Sequence, residues 1–232
     1  MSKVIGIFGE SGSGKTTSLR NLDPSTTLYI DCDKKGLSWK GWRNGYIRKE
    51  NYFQTDIYSS VMTLLRRVNG EKPEKFDTPE DEKKWKDGLK RWLSYKTVVI
   101  DTLNGIMVGE EMRNLKVTGY GKWTDLADHV WGILDYALTM RDDINVIILC
   151  HSETLSDDNG VVKIRIKTNG RKLEKLVPES KLTTLLYSVR KEGKYKFVTA
   201  MDNCTAKVPM GAFEEDEIDN DIVEVIKALE EY

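Results

Sequence analysis

Only three cysteines and two histidines occur in 232 residues. Cys32, Cys150 and Cys204 lie far apart and form no CxxC pair, which argues against a disulfide framework and against a cysteine-based zinc cluster. With five prolines, 18 glycines and no internal repeat, a collagenous or low-complexity chain is excluded. No apolar run reaches the ~18–20 residues needed to cross a bilayer. The apolar stretch near the N-terminus is too short for a signal peptide, so the chain reads as soluble and cytoplasmic. Net charge is also lacking, at −1.

That small total hides an uneven distribution. Residues 214–232 hold nine acids and one base, Lys227, which leaves residues 1–213 at about +7 by the same count. A basic body with an acidic tail is compatible with a polyanionic partner. The tail also carries Ile218, Ile222, Val225, Ile226 and Leu229 at amphipathic spacing, which reads equally as a packed helix. The expected division is a core over residues 1–212 and an acidic tail or helix over 213–232.

Short apolar runs stand at Lys3–Phe8, Thr27–Ile30, Thr97–Ile100 and Asn145–Cys150, and each predicts a buried strand. Helical patterns lie between them: 16–22, ended by Asp23-Pro24; 55–68; a stripe of Trp85, Leu89, Trp92 and Leu93 behind the N-cap Thr78 and Pro79; 104–115; and 124–140. Strands alternating with helices predict an α/β fold, a mostly parallel sheet covered on both faces. After residue 151 the pattern changes. Val161–Lys167 alternates strictly, and 185–189 with 195–199 brackets Lys191-Glu192-Gly193-Lys194, predicting a C-terminal antiparallel hairpin.

Gly9-Glu10-Ser11-Gly12-Ser13-Gly14-Lys15-Thr16, followed by Thr17, satisfies G-x-x-x-x-G-K-[ST] between a predicted strand and a predicted helix. Its glycines let successive N–H groups point inward at phosphate oxygens, and a helix start would add its positive end. In such a loop Lys15 reaches the β- and γ-phosphates and the Thr16 hydroxyl ligates Mg²⁺. The predicted cofactors are therefore ATP and Mg²⁺. Asp101 ends the strand Val98–Ile100, where an acid holds Mg²⁺ in this fold; the alternative is a cap for the following helix. Thr102 stands directly after it, where many such ATPases carry a catalytic glutamate. Asp31 and Asp33, ending the strand after the phosphate loop, are the available bases.

Here the chain resembles the RecA family of P-loop NTPases. Leu28-Tyr29-Ile30-Asp31-Cys32-Asp33 resembles the segment in which that family's catalytic glutamate lies two residues after an aspartate, which puts Asp33, one methylene shorter, at the base position. Val99-Ile100-Asp101-Thr102-Leu103 is similar to the family's Walker B run, and Val146–Cys150 ending at His151 to the strand whose terminal polar residue senses the γ-phosphate. Over roughly residues 3–211 the layout resembles phage-encoded RecA-core proteins proposed to anneal single-stranded DNA. The resemblance implies a RecA-like core, ATP hydrolysis, homo-oligomerisation and a single-stranded DNA partner, with Lys15, Asp33, Asp101 and His151 as the catalytic set.

Residues 160–175 hold six bases and one acid. Lys163, Arg165 and Lys167 alternate with Val162, Ile164 and Ile166, and Arg171, Lys172 and Lys175 follow. This ribbon reads either as a phosphate-binding surface, where the resemblance implies DNA contact, or as a solvated hairpin whose lysines discourage edge pairing. Tyr120 and Trp123 flank Lys122 in a glycine-bearing loop, suited to base stacking or to bracing the next helix. Lys207 is where the resemblance implies a contact to the next subunit's γ-phosphate; alternatively it is an exposed strand-end lysine. Two other readings keep the phosphate loop without DNA: an ATPase acting on a protein partner, and a small-molecule kinase.

Overall fold

The computed structural model describes residues 2–156, 160 and 162–232. Four apolar runs become the parallel strands β1 (Lys3–Gly9), β2 (Thr27–Asp31), β4 (Thr97–Asp101) and the first half of β5 (Asn145–Ser156). A short edge strand, β3 (Tyr52–Gln54), joins β2 in parallel. The second half of β5 runs past the sheet and pairs antiparallel with β6 (Val162–Ile166). Strand β7 (Thr184–Lys191) lies parallel to β1, turns into β8 (Lys194–Val198), and β9 (Glu217–Asp219) closes the edge. The order is β3-β2-β4-β5-β1-β7-β8-β9, with β6 attached to β5. This is the expected α/β architecture, a mostly parallel sheet with an antiparallel hairpin toward the C-terminus.

Strand side chains alternate between two apolar layers, so both faces of the sheet need cover. Phe8, Leu28, Ile30, Ile100 and Ile148 pack with helices α1 (Tyr58–Asn69), α3 (Leu103–Arg113) and α4 (Gly121–Thr139). Ile5, Ile7, Tyr29, Val99 and Leu149 face the other way, onto Leu19, Trp39, Trp42 and the C-terminal helix α6 (Ile222–Glu231). The acidic terminal segment is thus built into the fold. Ile222 and Val225 are fully buried, Asp221 caps α6 by accepting from the Val223 N–H, and Glu217–Asp219 extends the sheet. Helix α2 (Pro79–Ser94) buries no residue completely; Trp92 reaches Phe53 and Tyr95, while Trp85 meets Phe76. Between β6 and β7 lies the short helix α5 (Arg171–Leu176), whose Leu173 enters the α3/α4 layer.

One expected helix is compressed. Over 16–22 the chain forms a 3-10 turn at Thr17–Leu19 among simple turns. Two threonines and a serine explain it: Ser18 Oγ donates to Lys15 O at 2.6 Å, competing with the helical ladder. The regular helix expected behind the phosphate loop is therefore reduced to this turn.

Candidate nucleotide site

The loop Gly9–Thr16 leaves β1 at the carboxyl edge of the sheet. Glu10, Ser11 and Gly12 form its exposed rim, Ser13, Gly14 and Lys15 are buried, and Thr16 and Thr17 are half-buried. Gly14 adopts φ +100°, and a Cβ there would lie 2.7 Å from the Tyr195 ring, so only glycine lets β8 cover the loop this closely. From below, Ser188 Oγ on β7 donates to Ser13 O at 2.9 Å and accepts from Asn220 Nδ2 at 3.3 Å. Lys15 points inward, its Nζ donating to Gly9 O and Glu10 O, both at 2.7 Å. Burial, and then the charge of Lys35, bring its pKa down to about 8.

Sheet register assembles the remainder. Asp31 pairs with Asp101, and Gly9 with His151, so three strand ends meet beside the loop. Thr16 Oγ1 donates to Asp101 Oδ2 at 3.0 Å, and the Tyr29 hydroxyl donates to the same oxygen at 2.5 Å. Asp101 Oδ1 is buried and has no hydrogen-bond partner among the described residues. Burial raises the pKa of Asp101, opposed by Tyr29 and Lys35. An orphaned buried carboxylate oxygen beside a threonine hydroxyl fits Mg²⁺, which takes one or two carboxylates and completes its shell with phosphates and water.

The two candidate bases have different surroundings. Asp31 is fully buried; its Oδ2 accepts from the Tyr52 hydroxyl, Gly36 N and Gln54 Nε2 at 2.5, 2.8 and 3.2 Å. Its carboxylate is consumed in fixing the 32–36 turn. Asp33 is half-buried, and its oxygens accept from Thr102 Oγ1 at 3.0 Å and Lys35 Nζ at 2.6 Å. A Cβ on Gly105 would come within 2.5 Å of Asp33 Oδ1, so the first turn of α3 is glycine where Asp33 rests on it. The Asp101–Thr102 peptide bond is cis.

His151 is half-buried, with its pKa pushed down by burial and then by Lys15. Asn104, nearly fully buried, ties the strand end to the basic segment: its Oδ1 accepts from His151 N at 2.7 Å and its Nδ2 donates to Lys167 O at 2.9 Å. Sequence reasoning missed Lys35, Tyr29 and Asn104. Tyr29 lies inside the Leu28–Asp33 segment without being singled out, whereas Lys35 and Asn104 fall just outside the motifs, two residues after Asp33 and three after Asp101.

The basic residues do not form one uniform ribbon. Arg165 is held by Glu153 of β5 at 2.9 Å and Glu174 of α5 at 3.2 Å, so its charge is already engaged. Lys163 and Lys167 are exposed, while Val161 lies outside the described residues. Arg171, Lys172 and Lys175 line a groove of about 640 Å³ together with Tyr120 and Trp123. The two segments singled out separately in the sequence thus meet. Trp123 also packs on the core, its ring pressed against Gly170, while Tyr120 is 91% exposed. Lys207 lies apart from this groove, exposed, its backbone paired with Leu185 on β7.

A family model described as an AAA domain matches residues 1–208, and the chain belongs to that family of P-loop NTPases. Among solved structures, the KaiC-like protein PH0186 from the hyperthermophilic archaeon Pyrococcus horikoshii OT3 aligns with a TM-score of 0.42 and 11% identity, over 84% of this chain and 77% of that one. No curated protein matches. No helix among the described residues is long and apolar enough to cross a membrane.

Proposed function

We propose that this protein is a Mg²⁺-dependent ATPase whose nucleotide cycle is coupled to binding and annealing of single-stranded DNA in phage recombination, acting as a homo-oligomer. The observation that carries the ATPase reading is the convergence of Lys15, Thr16, Asp101 and Asp33 at one sheet edge, from three different strands. Thr16 and Asp101 would hold the metal, which when bound supplies positive charge that neutralises the phosphates. Lys15 exchanges its two carbonyl partners for β- and γ-phosphate oxygens. Asp33 accepts the proton of a water as that water's oxygen attacks the γ-phosphorus and ADP leaves. Thr102 and Lys35 hold the Asp33 carboxylate in place.

For the DNA part, support comes from the groove of Tyr120, Trp123, Arg171, Lys172 and Lys175, which joins aromatic faces to cations with no carboxylate partner among the described residues. Asn104 bonds both the His151 and the Lys167 backbone, which ties the nucleotide-site strand to the basic segment that leads into this groove. Lys207 is proposed as the trans contact to a neighbouring subunit. The test is the ATPase rate with and without an oligothymidine, with binding measured in parallel by fluorescence anisotropy. Binding together with a raised rate is expected. A steady ATPase indifferent to DNA, with no binding at low salt, would instead favour a protein partner.

A further inference from the structure

Grooves on the described surface differ in the sign of their charge. One of about 1010 Å³ beside α1 and α2 interleaves cations such as Arg66, Arg67 and Lys72 with the acids Glu71, Glu74, Asp77 and Asp81, so its charge is nearly balanced. A smaller one, about 480 Å³, is lined by Lys34, Lys35, Arg43 and Arg48, with Trp42 and Tyr52 among its walls and no carboxylate. Lys34 is engaged by Asp56 and Lys35 by Asp33, but Arg43 and Arg48 have no carboxylate partner among the described residues. The Arg43 guanidinium lies over the Trp42 ring at 4.8 Å, which presents a flat, cationic stacking surface.

This groove is separate from the one at Trp123. Trp42 and Tyr52 belong to the apolar layer on the α6 side of the sheet, whereas Trp123 and Leu173 belong to the layer under α3 and α4. The sheet therefore stands between the two grooves. Both share one composition, aromatic surface with cations and no acid. Two arginines without a carboxylate partner among the described residues, beside an aromatic face, suit a strand, which supplies one phosphate per nucleotide and a base to stack.

We propose that the Lys34–Arg48 groove is a second single-stranded nucleic-acid site, taking backbone phosphates on Arg43 and Arg48 and a base against the Trp42–Arg43 stack. This inference rests on the DNA-coupled reading above and deepens it: two sites on opposite faces let one subunit hold two strands, which is what annealing needs. The site also reaches the ATP machinery. Lys35 donates to Asp33 at 2.6 Å, so a phosphate entering the groove competes with Asp33 for that lysine and alters the base directly.

The test uses the full chain with Mg²⁺, a non-hydrolysable ATP analogue and a labelled oligothymidine of ~20 nucleotides. Arg43→Glu with Arg48→Glu is expected to weaken binding about tenfold at low salt and flatten the salt dependence. Arg171→Glu with Lys172→Glu should leave measurable binding, and all four changes together should abolish it. Parent affinity in the Arg43/Arg48 pair, or complete loss in the Arg171/Lys172 pair alone, overturns the second site while sparing the first. No binding by the parent protein sinks both readings. A thymidine mononucleotide competing as well as the oligomer also overturns the proposal, since the groove is then a nucleotide pocket. Should charge reversal lower the melting temperature, Arg43→Gln with Arg48→Gln serves as the same test.

Discussion

Thr16 and Asp101, 85 positions apart in the chain, share a 3.0 Å hydrogen bond from the Thr16 hydroxyl to one carboxylate oxygen of Asp101, whose other oxygen is buried without a partner. On the proposed reading, that pairing would hold the metal. Asp101→Asn is expected to keep the fold, because the amide oxygen still accepts from Tyr29 and Thr16, and to raise the Mg²⁺ concentration needed for half-maximal turnover. Metal titration of the ATPase checks it.

Lys15 should make nucleotide binding depend on pH. Its pKa is lowered to about 8 in the free protein, chiefly by burial. A bound triphosphate surrounds it with negative charge and raises that pKa again. Binding above pH ~8 must then take up a proton, so ATP affinity falls as pH rises past 8 and is flat below it. Calorimetry in buffers of different ionisation enthalpy would read the uptake. Lys15→Ala should lose both the affinity and its pH dependence in that range.

Gly105→Ala would place a methyl 2.5 Å from Asp33 Oδ1 and 2.9 Å from the Cys32 backbone carbon. Asp33 must shift, so turnover should drop while ATP affinity stays near the parent value. A stability loss of about 1–3 kcal/mol should accompany it, measurable by denaturant melts.

The phosphate loop rests on a buried hydroxyl. Ser188→Ala removes the donor to Ser13 O and leaves both that carbonyl and the Asn220 amide without it. A loss of about 1–3 kcal/mol is expected, with KM for ATP rising more than kcat falls. Steady-state kinetics beside a thermal melt separates the two effects.

Deleting residues 214–232 should lower the melting temperature. Ile222 and Val225 are fully buried and Leu229 is 8% exposed, each contributing about 1.5–3 kcal/mol through burial. Arg20 Nη1 also donates to Asn220 O at 2.7 Å, beside the loop's 3-10 turn. A truncated protein that melts like the parent would mean that the acidic segment is not integral.

The sequence announced what is contiguous and periodic. The phosphate loop is one octet, and the four apolar runs are strands that must be buried on both faces, so loop and sheet were both legible. What escaped depends on register or on competition between local bonds. Asn104 matters because α3 carries it to the point where β5 meets Lys167, and no spacing in the chain encodes that. Asp31 and Asp33 look alike as letters; only Tyr52, Gln54 and the 36 N–H, converging on Asp31, separate an anchor from a candidate base. The helix expected over 16–22 failed because Ser18 bonds back to the chain.

On the proposed reading, Asp33 makes this loop an ATPase rather than only a nucleotide clamp. Single-turnover hydrolysis of Mg²⁺-ATP by Asp33→Asn, with ATP binding measured on the same protein, tests it most directly. Unchanged binding with a rate ~10²–10⁴-fold below the parent is the predicted result. Hydrolysis by the variant at the parent rate would contradict it and remove Asp33 from the chemistry.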